Sequence, residues 1–190
     1  MLCRGEPLDS STVSKSHLFK YLKRHRQKSY TKSCCILSGI FCLGVVQMKY
    51  ITGIHALNVP CSLNTSGDWH HLAIQWDRPH INDTRKSFFG NWGIEFHEIP
   101  LHSGNEYPVA NHIRACLDML DSGDFSNLQG MRRDYICTNE YDPFIFFKVA
   151  QMRMHPHWDE IDHFMEKEYL MEWVRYKERD ELDGTGRLAR

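Results

Sequence analysis

The sequence contains none of the short motifs that identify common enzyme classes. It has no G-x-S-x-G, P-loop, G-x-G-x-x-G, kinase or HExxH signature, so motifs alone indicate no reaction. Its seven cysteines include no C-x-x-C pair, and their odd number favours a reducing cytoplasm over a disulfide framework. No internal repeat is visible, and no apolar run reaches the roughly 20 residues that span a bilayer. These absences leave individual residues as the only guide to function.

Acidic residues are scarce in the first part of the chain. Residues 1–47 contain eight Lys or Arg, only two acidic residues and none of the five Trp. Residues 48–190 instead carry fifteen basic and twenty-two acidic residues. We therefore predict a poorly ordered basic leader or non-native upstream extension over 1–47, followed by a folded domain. The acidic charge of 48–190 argues against general nucleic-acid binding, because phosphate contacts need clustered Lys and Arg.

Three interpretations of residues 1–47 stay open. A basic stretch at 15–32 precedes an apolar run at 33–46, an order typical of signal sequences and membrane-directed leaders. The segment can instead be a genuine basic arm. In the third interpretation translation begins at Met48, where Met-Lys-Tyr-Ile leads directly into a predicted strand. We expect a cytoplasmic protein, or a membrane-directed one if residues 1–47 are native.

The first half of the main piece has the patterns of β-strands. Composition rich in β-branched residues and alternation of apolar with polar side chains predict strands at 50–54, 71–76 and 88–99. Gly90 and Gly93 indicate a turn or bulge at the start of the third strand.

The second half has helical spacing. Apolar residues three or four apart predict helices that begin after Pro108, at Asp142-Pro143 and at Trp158. Residues 177–190 are charged, and we expect them to fray. Because strands precede helices, we predict a single α+β domain over 48–176, with a small N-terminal antiparallel or mixed sheet followed by about three helices.

The densest polar segment is Thr65 to His71, directly before a predicted strand. Asp68 and His70 are alternate residues that can share a face, and an Asp beside a His raises its basicity for general-base catalysis. His55 and His97 come from other predicted strands and would complete a divalent metal site if those strands are neighbours. The alternative is a turn with exposed histidines and no catalytic role.

A second candidate group lies at the start of the helix after Pro108. Asn111 and His112 lie near the positive end of the helix dipole, a position that favours an anion such as a nucleotide phosphate. Arg114 can add bidentate contacts to that anion, and it can also pair with Asp118 at i, i+4 spacing. The alternative is a solvated helix face with one weak salt bridge.

One cysteine is a further candidate for chemistry. Cys61 lies close in sequence to His55 and His70 and can act as a nucleophile. A lone cysteine is more often a small buried apolar residue.

Two segments carry a resemblance to other proteins. The stretch Thr52-Gly53-Ile54-His55-Ala56-Leu57-Asn58 through Gly67-Asp68-Trp69-His70, together with Ala110-Asn111-His112-Ile113-Arg114-Ala115, resembles short bacterial proteins of unassigned function. The resemblance covers most of residues 48–176. It implies a bacterial cytoplasmic protein that starts near Met48, and it names no activity.

Two functions from different classes follow from these residues. The first is a small hydrolase or nucleotide-directed enzyme that uses Asp68 and His70 for catalysis and Asn111, His112 and Arg114 for an anionic substrate. It requires both groups to meet in one pocket. The second is a non-catalytic partner protein of a bacterial two-gene module, suggested by the aromatic-rich final helix. The leader adds a third possibility, a membrane-directed protein.

Overall fold

The computed structural model describes residues 47–68, 70, 73–100 and 103–187. The predicted basic leader lies outside the described residues except for Gln47. The predicted domain boundaries at 48 and 176 therefore stay predictions.

A small mixed sheet forms the first half of the described chain. Its strands are β1 (Lys49–Ile51), β2 (Ile81–Asp83), β3 (Ile94–Glu98) and β4 (Glu106–Ala110), in the spatial order β2-β1-β4-β3. β1 runs parallel to β4, and the other two pairings are antiparallel. Five α-helices are described: α1 (Gly53–Leu57), α2 (His112–Ser122), α3 (Asp142–Ala150), α4 (Trp158–Tyr169) and α5 (Met171–Arg187). A π-helix (Met131–Ile136) and a 3-10 turn (Asn139–Tyr141) precede α3. The predicted α+β fold with a mixed sheet is confirmed.

Helix α2 lies at the centre of the core. Every residue from His112 to Leu120 is buried, including charged Arg114 and Asp118. Ile113 and Leu117 are fully buried and supply the apolar spacing that the sequence predicts. Among the described helices, none combines the length and apolar character needed to cross a bilayer.

The predicted strand at 71–76 is wrong over its described part. The Ala73 N–H donates to the His70 carbonyl at 2.8 Å, which closes a turn, and residues 73–76 form no strand. Trp76 is buried although it lies in an irregular segment, so its apolar character reflects burial and not a strand. The predicted strand at 88–99 is shorter than expected, because turns occupy 88–93 before β3 begins.

The helix predicted directly after Pro108 begins later, at His112. Pro108 lies in β4, where it is paired with Phe96 of β3. β4 pairs with β1 only through Val109 and Ile51, and so short a pairing tolerates a residue without an N–H donor. Asn111 is the N-cap, because its side chain accepts the Arg114 N–H at 2.9 Å.

The final helix is divided in two. Leu170 separates α4 from α5 with φ 52° and ψ −131°, a conformation that ends the hydrogen-bonding pattern of α4. The apolar stripe continues across the break, since Tyr169 and Trp173 are both fully buried. Periodicity alone therefore does not reveal the break.

Candidate functional site

Two polar residues near the start of α2 point into different surroundings. β4 ends at Ala110, and the Asn111 cap fixes the first turn of the helix that follows. His112 faces the segment 57–67, whereas Arg114 faces β1 and the turn at 87–93. His112 and Arg114 therefore belong to two different networks.

Arg114 is the centre of a buried polar network. Its Nε donates to Asp118 Oδ1 at 2.9 Å, which confirms the predicted i, i+4 pair. Its terminal nitrogens donate to four further acceptors: the Tyr50 hydroxyl, the Ser87 hydroxyl, and the carbonyl oxygens of Gly90 and Trp92. The side chain has no exposed surface. The alternative of a solvated helix face is wrong.

Asp118 completes this network from the acceptor side. Its carboxylate accepts from Tyr50 OH at 2.8 Å, Thr52 Oγ1 at 2.7 Å and Ser87 Oγ at 3.0 Å. Burial and the adjacent Asp118 charge raise the pKa of Tyr50 to about 12. Each charge is surrounded by partners, as a buried ion pair requires. An anionic ligand would have to displace these bonds, so this placement gives no support to the predicted anion-binding role of Arg114.

His112 belongs to a second network. Its Nε2 lies 3.0 Å from the Val59 carbonyl oxygen, and a carbonyl only accepts, so Nε2 carries a hydrogen. Its Nδ1 lies 2.6 Å from Thr65 Oγ1. In the neutral ring Nδ1 is therefore the acceptor of the Thr65 hydroxyl hydrogen. This tautomer leaves Nδ1 able to take up a proton.

The network continues from Thr65 to Cys61. Thr65 Oγ1 lies 3.5 Å from Cys61 Sγ, so thiol, hydroxyl and imidazole form a chain. Burial raises the pKa of Cys61, but the interaction with His112 outweighs burial, and the net pKa is lowered. Burial likewise lowers the pKa of His112, but the interaction with Cys61, the bond to Val59 and the Glu95 charge raise it overall. These directions favour a thiolate beside an imidazolium.

Gly67 permits the loop to lie against the His112 ring. Its φ is +66°, and a Cβ at this position would overlap the Leu57 carbonyl oxygen and the His112 ring atoms Cε1 and Nε2. The Gly67 N–H donates to the Tyr135 carbonyl at 2.8 Å, which ties this approach to the π-helix.

The predicted Asp68–His70 pair forms. Asp68 Oδ1 lies 2.6 Å from His70 Nδ1, and Asn58 donates to Asp68 Oδ2 at 3.0 Å. Burial raises the pKa of Asp68, but the bonds from Asn58 and His70 outweigh it and lower the pKa. The Asp68 side chain is 6% exposed and that of His70 is 54% exposed. The catalytic role of this pair stays a prediction.

The Asp68–His70 pair and the Cys61–Thr65–His112 chain contact the same segment of backbone. Leu57 accepts the Asp68 N–H at 2.7 Å, while the Val59 carbonyl accepts from His112. Residues 57–59 thus connect the Asp68–His70 pair with the Cys61–Thr65–His112 chain.

His55 and His97 do not meet the condition set for a shared metal site. His55 lies on α1, and its Nε2 is 3.3 Å from the Gln75 carbonyl. His97 lies on β3, which β4 separates from β1, and its Nε2 is 2.8 Å from Glu95 Oε2. Within the described ranges, no three His, Cys, Asp or Glu side chains form a group able to hold a metal.

Sequence reasoning identified His112 but missed its partner Thr65. The two residues are 47 positions apart, so no local spacing predicts their contact. The only available signal was the dense polar segment from Thr65 onward.

Comparison with protein-family models, curated proteins and solved structures finds no match to the chain. The geometry of this site is therefore the basis for a functional inference.

Proposed function

We propose that the protein is a small hydrolase whose nucleophile is the Cys61 thiol. The observation that supports this function is the chain from Cys61 Sγ through Thr65 Oγ1 to His112 Nδ1, with contacts of 3.5 and 2.6 Å. A nucleophile, a base and a group that orients the base are the three elements of nucleophilic catalysis. Here the Val59 carbonyl orients the imidazole through Nε2.

Thr65 transfers the proton in this mechanism. His112 is only 2% exposed, whereas Cys61 and Thr65 are half-buried, so substrate reaches the thiol more readily than the ring. The Thr65 hydroxyl gives its proton to His112 Nδ1 and takes the thiol proton. The result is a thiolate and an imidazolium, with the hydroxyl restored.

The thiolate then attacks the acyl carbon of an ester or thioester. A bond forms between Cys61 Sγ and that carbon, the bond to the leaving group breaks, and the leaving group takes the His112 proton through Thr65. Water next attacks the acyl carbon of the Cys61 thioester and gives one proton to His112 by the same route. The bond between that carbon and Sγ breaks and releases the acid. The thiolate–imidazolium pair is regenerated.

Asp68 and His70 have a supporting place in this proposal. They lie on the same loop as Thr65, and the His70 side chain is 54% exposed, whereas His112 is 2% exposed. We propose that this pair is a second acid–base unit near the reacting groups. The predicted contacts of Asn111 and Arg114 to an anion or nucleotide are not needed for this chemistry.

Acyl transfer from an activated ester tests the proposal. Incubation with p-nitrophenyl acetate is expected to give a burst of p-nitrophenol and an acetylated Cys61 peptide in mass spectrometry. Cys61→Ala is expected to lose the burst. Cys137→Ala, which removes an exposed cysteine elsewhere, is the matched control and keeps it. A full burst from Cys61→Ala contradicts the proposal.

The predicted non-catalytic partner protein is a second candidate. Leu170 and Met171 are adjacent and are 65% and 57% exposed, so the α4–α5 junction presents apolar surface. If this surface mediates self-association, sedimentation velocity will show a concentration-dependent dimer that Met171→Gln abolishes. A monomer at every concentration contradicts self-association.

A further inference from the structure

We infer that Glu95 is a positioning residue for Cys61, since it holds the loop in the geometry that joins the thiol to His112. This inference rests on the proposed function. Glu95 does not touch the thiol, and it acts through Ser62 and through its charge near His112.

The contacts of Glu95 fix the residue next to Cys61. Glu95 Oε2 accepts the Ser62 backbone N–H at 3.0 Å, and Oε1 accepts the Ser62 hydroxyl at 2.6 Å. Both bonds cross from β3 to a segment without regular secondary structure. Two bonds to one residue restrict both the position and the rotation of the adjoining peptide unit.

His97 holds the Glu95 carboxylate from the same strand. His97 Nε2 lies 2.8 Å from Glu95 Oε2, and residues two apart on a strand share a face. Burial raises the pKa of Glu95, but the bonds from Ser62 and His97 outweigh burial and lower it. Glu95 therefore carries its charge at neutral pH.

The Glu95 charge also acts on His112. A carboxylate near an imidazole favours the protonated ring, and Glu95 is among the groups that raise the pKa of His112. The titratable groups involved in this effect of the Glu95 charge are His97 from β3, His112 from α2 and Cys61 itself. Glu95 thus has two effects, loop position and charge, and they predict different results on substitution.

Alkylation of Cys61 by iodoacetamide, followed by peptide mass spectrometry across a range of pH, measures these effects. Glu95→Gln keeps the size of the side chain and removes its charge. We expect the alkylation rate at pH 7 to fall about threefold and its pH profile to move to higher pH. Loss of the Glu95 charge lowers the pKa of His112, and a shift of about half a pKa unit changes the thiolate fraction about threefold. Glu98→Gln, an exposed residue on the same strand, is the matched control and is expected to match the wild type.

Ser62→Ala isolates the positional effect. It removes the 2.6 Å hydroxyl bond but keeps the backbone bond and the Glu95 charge. We expect about a threefold loss of rate with a smaller shift in pH profile than Glu95→Gln gives, since the loop loses one hydrogen bond while the Glu95 charge stays. This variant also serves if Glu95→Gln fails to fold.

The outcomes separate this inference from the proposed function. If Cys61 of the wild type titrates at the same pH as in urea-unfolded protein, the proposed function fails. If the wild-type thiol is activated and both Glu95→Gln and Ser62→Ala react at the wild-type rate, only the role of Glu95 is overturned.

Discussion

His112 and Arg114 are two positions apart on α2, yet they belong to hydrogen-bond networks of different kinds. Arg114 donates to five acceptors and shares partners with Asp118, so its network is closed. His112 belongs to a chain that ends at the half-buried Cys61. A closed network stabilises one conformation, whereas a chain that reaches the surface can transfer a proton to a substrate. We therefore assign stability to Arg114 and chemistry to His112.

The largest expected effect is the loss of the closed network. Arg114→Met leaves Asp118 buried without its cation, and breaking one side of a buried pair costs about 3–5 kcal/mol. Chemical denaturation measures this change in the free energy of unfolding. The exposed control Glu98→Ala is expected to stay within about 0.5 kcal/mol of the wild type. A loss below about 1 kcal/mol for Arg114→Met removes the stability role.

The second prediction concerns the Cys61–Thr65–His112 chain. Thr65→Val is nearly isosteric and removes the hydroxyl that joins Cys61 to His112, so Cys61 alkylation at pH 7 is expected to slow about tenfold. Thr65→Ser keeps the hydroxyl and is the matched control. Equal rates of Cys61 alkylation in Thr65→Val and Thr65→Ser show that the proton does not pass through residue 65.

The buried carboxylate of Asp142 extends the comparison, because it has fewer hydrogen-bond donors than Asp118. Its Oδ2 accepts from Arg132 at 3.0 Å, while its Oδ1 is buried and has no partner among the described residues. Burial raises the pKa of Asp142 from 3.8 to about 6, against the Arg132 charge that lowers it and with the Glu172 charge that raises it further. The folded state therefore binds this proton more tightly than the unfolded state.

The sign of the pH effect follows from that difference. The stabilising contribution of Asp142 is complete below pH 3.8 and is lost as pH rises through about 6. Relative to Asp142→Asn, the wild type is expected to lose about 2 kcal/mol of stability between pH 4 and pH 7. Parallel stability curves for the two proteins contradict the assigned titration.

The smallest expected effect lies outside these networks, at Leu170. A leucine at φ 52° is strained, and its side chain is 65% exposed, so little packing is lost on its removal. Leu170→Gly is expected to raise the free energy of unfolding by about 0.5 kcal/mol. Lys167→Gly, within α4, is the control and is expected to lower it by about 1 kcal/mol. A loss at both positions contradicts the strain at Leu170.

Local spacing predicted the parts of the site that depend on neighbours in sequence. The Arg114–Asp118 and Asp68–His70 pairs are four and two residues apart, and both form. The burial of the Arg114–Asp118 pair was not predictable, because Tyr50 and Ser87 approach it from other parts of the chain. Periodicity likewise predicted α+β order but not β4, where Pro108 resembled a helix start.

The most direct test of the account is the alkylation midpoint of Cys61. The rate of its reaction with iodoacetamide is measured against pH in the folded protein and in the same protein unfolded in urea. We predict a midpoint at lower pH in the folded protein, because the interaction with His112 outweighs the effect of burial on the thiol pKa. A folded midpoint equal to or above the unfolded one contradicts the assignment of chemistry to the Cys61–Thr65–His112 chain.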